Sequence, residues 1–216
     1  MHFELSFERL SFPRLAALSL VLLLVPTAES AGQAEWQRTV EVIAPVEEEL
    51  VTRPLTDSIV AMIEDQALSP KRTPQSDTTA TLEEIEAALS GEGLALTSAT
   101  HVFITYRFTQ DNGRLRRRIL DLHFIYRPSA EQGEDIPILY LDLSEDDLHQ
   151  QLLAEKGTPV RVNEVAFRSF KEQLGFLELQ DEATVVRIGD QIVRDAEEAA
   201  AAKRQVLRTL QTLTYE

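Results

Sequence analysis

Two alternating runs on either side of Asp111-Asn112-Gly113 dominate the hydrophobic pattern of this chain. In HVFITYRF, Val102, Ile104, Tyr106 and Phe108 fall on one face; in ILDLHFIY, Leu120, Leu122, Phe124 and Tyr126 do so. Period-two alternation around a glycine-containing turn predicts a long β-hairpin over about residues 99–127. Both apolar sets are even-numbered, and that parity constrains the turn. In a regular ladder, a two-residue Asn-Gly turn pairs even positions with odd ones and splits the apolar face. A three-residue loop with Gly113 at positive φ keeps the face intact, so it is the expected turn. It sets His101 directly opposite His123.

The rest of the pattern alternates between short strands and amphipathic helices. TVEVIA, around Val40 and Val42, reads as a strand. RPLTDSIVAMIEDQAL carries Pro54 where a first helical turn tolerates it, with Leu55, Ile59 and Ile63 in one stripe. Residues 69–79 are a loop by composition. Thr81 and Glu84 form a capping box ahead of Ile85 and Leu89, and Gly91 ends that helix. IPILYLDL, residues 136–143, is a nearly uninterrupted apolar strand, as expected for one covered on both faces. Ser144 and Asp147 suggest a second capping box, opening a helix that stops at Gly157. Asn163 predicts the start of another helix, whose Ala166, Phe167, Phe170 and Leu174 face inward. A small hairpin is expected around Gly189-Asp190. A C-terminal helix is expected from Asp195 to about Leu213, with its acids first and its bases last, as the helix dipole prefers. The fold class is therefore α+β: an antiparallel or mixed sheet built around the long hairpin, with amphipathic helices packed on it.

Residues 1–30 do not fit that domain. Arg9 and Arg14 precede the apolar run from Leu15 to Val25, and small residues follow Pro26. The run is too short to span a bilayer, which takes about twenty residues, and its pattern is that of a cleaved secretory signal. The expectation is a 1–30 signal peptide and a single domain over 31–216, located in a periplasm or secreted, with no stable membrane insertion after cleavage. With no cysteine there is neither a disulfide framework nor a thiol to acylate.

Removing three acids and two bases with that segment moves the formal charge only from −15 to −14. Such acidity excludes nucleic acid, whose phosphates reward Lys and Arg, and disfavours anionic membrane surfaces. Against this background the cluster Arg114, Arg116, Arg117 and Arg118 stands out. Alternation assigns Arg116 and Arg118 to one side and Arg114 and Arg117 to the other. These four are candidates for holding an anionic small ligand or a protein partner. They would equally serve as charged guards beside an aggregation-prone hairpin.

With the three-residue loop, His101, His123 and Asp121 share a face, which is the ligand chemistry of an open transition-metal site. Thr105, Arg107, Thr109 and Arg127 on the same face suit ordinary solvent exposure as well. DLSEDD, residues 142–147, has an EF-hand's first three oxygens but lacks its glycine and its bidentate glutamate. No serine-hydrolase, zinc-protease or phosphate-loop motif is present. The chain thus reads as an exported, non-catalytic binding or assembly protein that needs no cofactor. The alternative is a metal-dependent hydrolase using His101, Asp121 and His123.

Overall fold

A computed structural model describes residues 36–111, 113–129, 133–144, 147–162, 164–179 and 181–215. The expected leader, along with Asn112 and Asn163, lies outside the described residues. The fold is α+β. In chain order the elements are β1 (Trp36–Pro45), α1 (Thr52–Glu64), α2 (Leu82–Gly91), β2 (His101–Asp111), β3 (Arg114–Tyr126), β4 (Ile136–Asp142) and α3 (Asp147–Glu155). Then come β5 (Gly157–Val162), β6 (Glu164–Ser169), α4 (Phe170–Gln173), β7 (Thr184–Ile188), β8 (Gln191–Ile192) and α5 (Ala196–Tyr215). Six strands form one sheet in the order β4-β3-β2-β1-β7-β8, and every pair in it is antiparallel. The pair β5-β6 stands apart as its own hairpin.

Helices cover one face of the sheet. The even positions Val40, Val42, Val102, Ile104, Tyr106, Phe108, Leu122 and Phe124 point into a core with Leu55, Ile59 and Ile63 of α1. Ile85 and Leu89 of α2 and Val206 and Leu210 of α5 complete it. Fully burying each aliphatic or aromatic side chain contributes about 1.5–3 kcal/mol, so this one face carries most of the fold's stabilisation. Local chemistry supports it. The Thr81–Glu84 capping box opens α2, with the Thr81 N–H donating to Glu84 Oε2 at 2.8 Å. The Thr52 hydroxyl donates to the Pro45 carbonyl at 2.9 Å, tying the start of α1 to the end of β1. The Tyr106 hydroxyl, wholly buried, donates to the Leu174 carbonyl at 2.8 Å.

The hairpin turn differs from expectation. Asp111 pairs with Arg114, which leaves two residues between the strands, with Gly113 at φ 72°. Parity is instead restored seven residues up the second arm. Tyr106 pairs with Ile119 but Thr105 pairs with Asp121, so Leu120 is an extra residue, a β-bulge. Below the bulge the core face of β3 is odd-numbered; above it, even-numbered. The apolar pattern required one register shift and could not say whether turn or strand supplied it.

Two further expectations change. The helix expected from Asn163 is instead β6 followed by the single turn α4, with Phe170 and Leu174 of its apolar set in the core and Phe167 exposed. Thr158, Val160, Val162 and Val165 are β-branched, and their stiff χ1 favours a pleated chain over a helical one. β4, expected to be covered on both faces, buries Ile138, Leu139 and Leu141 but leaves Tyr140 and Asp142 half-buried; it lies at the sheet edge, where an isolated bridge between Lys71 and Tyr140 covers part of its free side.

Candidate functional site

The opposite face of the sheet, with odd numbering on β1 and β2, is where the side chains turn polar. Glu41, Phe103, Thr105, Asp121, His123 and Tyr140 floor a trough of about 730 Å³ there. Its rims come from the 73–75 loop, from Asp135 and Pro137 before and in β4, and from Arg187, Ile192 and Val193 near the β7–β8 turn. Strand pairing explains the assembly. β3 brings Asp121 beside Thr105 and His123 beside Phe103, β4 brings Tyr140 beside His123, and β7 brings Arg187 beside Glu41.

The floor is dry enough to shift protonation. The Thr105 hydroxyl donates to Asp121 Oδ1 at 2.9 Å. Burial nevertheless pushes the Asp121 carboxyl from 3.8 up to about 6, and the negative charges of Glu41 and Asp142 add to this. The Thr105 hydrogen bond and the Arg187 charge act the other way. Burial lowers the pKa of His123, so its imidazole is neutral at physiological pH. That ring stacks on Phe103 with centroids 6.0 Å apart and meets Tyr140 edge-on at 6.1 Å. Its Nε2 is shielded from solvent without a hydrogen-bond partner among the described residues. Burial raises the Tyr140 pKa, so the phenol remains protonated. Glu41 on the floor is paired with Arg187 at 3.4 Å, and Asp135 at the rim with Arg127 through two bonds of 2.6 and 2.8 Å.

The bulge separates the histidines that the sequence brought together. His101 faces Ile125, and His123 faces Phe103. His101 lines a neighbouring cavity of about 440 Å³ with Arg127 and Asp195, and its Nδ1 lies 3.1 Å from the Thr100 hydroxyl. Asp121 and His123 do share the trough, but among the described residues no three His, Cys, Asp or Glu side chains gather closely enough to hold a metal ion.

The arginine cluster divides by parity, which places Arg114 with Arg116 and Arg118 and not, as expected, with Arg117. Arg114 opposes Asp111, Arg116 opposes Thr109 and Arg118 opposes Arg107, so these three share the polar side while Arg117 opposes Phe108 on the other. Sequence reasoning did not single out Tyr140, Glu41, Arg187 or Phe103. Alternation set Glu41 and Phe103 off the apolar face, but Tyr140 lies in an unbroken apolar run, and the β3–β4 and β1–β7 pairings that bring the four together leave no local signal. No protein-family model matches this chain, and no curated protein matches it either.

Proposed function

We propose that this is an exported, non-catalytic binding protein whose open sheet face takes a small molecule with an apolar body and a hydrogen-bonding end. The observation that carries this reading is the composition of the trough: apolar surface from Phe103, Ile125, Pro137 and Val193 around a few convergent polar groups. Asp121 accepts and Tyr140 donates, while the neutral His123 does either according to its tautomer. Glu41 and Asp135 are already paired, which disfavours a multiply charged ligand here. Export rests on the Arg9–Ala31 leader pattern. Chain recovered from its host should begin between about residues 29 and 35 by intact mass, and full-length chain in the cytoplasm would sink that part.

Binding is tested with N-phenyl-1-naphthylamine, an uncharged fluorophore with one N–H donor. The protein should bind it with one-to-one stoichiometry and a rise in emission. Thr39→Trp, which places a large ring in the trough from β1 without removing a side-chain hydrogen bond, should weaken that binding by about tenfold or more while the protein still melts cooperatively. Absence of binding, or equal binding by the folded variant, would overturn the reading.

A further inference from the structure

A second cavity has the opposite electrostatic character. The last β3–β4 pair is Asp121 with Asp142, so towards the hairpin tip the outer edge of β3 has no strand beside it. There α3 and α4 lie alongside, leaving a cleft of about 440 Å³. Arg107, Arg116, Arg117, Arg118 and Lys171 line it with Gln150, and among the described residues no Asp or Glu lines it. In a chain with 36 acids and 21 Lys and Arg, five cations around one cleft run against the composition.

The strand register makes the arrangement costly. Arg107 and Arg118 are directly cross-strand, where like charges destabilise a ladder. The protein relieves only part of this. Arg118 donates from Nη2 to the Leu143 and Ser144 carbonyls, at 3.3 and 2.6 Å, which holds its guanidinium at the cleft. Arg116 reaches Asp111 at 3.3 Å in an exposed pair. Arg107 has neither ion pair nor hydrogen bond among the described residues, and its Nε is sealed from solvent. A guard against edge pairing would need only charge in water, with no buried guanidinium atom. A buried, unpaired donor is destabilising until something accepts from it.

We propose that this cleft is an oxyanion site that takes a small molecule bearing a phosphate-type, multiply charged group. Arg107 and Arg118 present their forked donors to its oxygens, and Arg117 and Lys171 neutralise the remaining charge. Guanidinium forks match tetrahedral oxyanions in paired hydrogen bonds, and the cleft volume lies in the small-ligand range. The site is independent of the trough: different residues, different charge and a different class of ligand.

Inorganic pyrophosphate is the probe, titrated into the full chain with ionic strength held constant by chloride. A saturable calorimetric isotherm and a rise in melting temperature are expected. Arg107→Gln should weaken binding by about tenfold or more. Without pyrophosphate the same variant should melt at or above the temperature of the parent, because the repulsion across the ladder is gone. The ranking of the two proteins therefore inverts when the anion is added. No response beyond that to chloride overturns the site, as does a variant destabilised equally with and without pyrophosphate. Vesicles of phosphatidylglycerol should not retain the protein; Arg107-dependent retention would overturn the small-molecule source in favour of a lipid surface.

Discussion

Asp121→Asn should stabilise the protein at about pH 8 and leave its stability unchanged at about pH 4. The side chain is largely withdrawn from water on the trough floor, and its carboxyl is pushed from 3.8 to about 6, chiefly by burial. A carboxylate whose pKa is higher folded than unfolded binds its proton more tightly in the folded state. Its ionisation is then a penalty on folding, fully present above about pH 6, shrinking as pH falls, and gone below about 3.8. The full shift corresponds to roughly 3 kcal/mol, which partial solvent access reduces to about 1–2 kcal/mol. Asparagine retains an oxygen that can accept from the Thr105 hydroxyl, so the comparison isolates the charge. Urea melts of both proteins across this range measure the difference. A variant that is less stable at pH 8, or whose gain does not fade with acid, would show that Asp121 serves the fold rather than a ligand. A natural protein that keeps this penalty keeps the carboxylate for another reason, which is what a binding floor supplies.

Much of the architecture was legible because it rests on local periodicity. The stripe Leu55, Ile59 and Ile63 could only be one helical face, and the even residues of β2 could only be one strand face. Legibility ended where two physical solutions satisfy the same pattern. Leu120 is the case in point: a longer turn and a bulge both keep Leu122 and Phe124 in the core, but they place the histidines differently by two residues. The candidate site inherits this. Asp121 and His123 were correctly set on the polar face, while the partners that define their chemistry, Tyr140 and Glu41, arrive through long-range pairing. Arg107 escaped notice for a related reason. Alternation marks it as a surface position, and only the register shows that it faces another arginine.

Gly157→Ala should destabilise the protein by roughly 3 kcal/mol or more, the largest effect expected from so small a change. As a simple helix terminator, the role its sequence position suggests, Gly157 would accept alanine at a cost of about 1 kcal/mol or less. In the fold it opens β5 opposite Ser169, and the two strands approach so closely that an added Cβ would sit 1.9 Å from the Arg168 carbonyl oxygen. Even favourable carbon–oxygen contacts lie at about 3.3–3.6 Å, so backbone must move by more than an ångström. The displaced segment runs directly into α4. There the Phe170 N–H donates to the Lys156 carbonyl at 2.8 Å, the Phe170 ring is fully buried, and the Leu174 carbonyl accepts from Tyr106. Backbone strain beside Gly157 is thus transmitted to a core aromatic and to the buried hydroxyl of the hairpin. Gly91→Ala is the control, since it also ends a helix but has nothing within 4 Å of the added carbon. Its urea melt should match or slightly exceed that of the parent. Equal melts for the two alanine variants would mean that β5 and β6 do not meet at this glycine, and the link from their hairpin to the core would be lost with it.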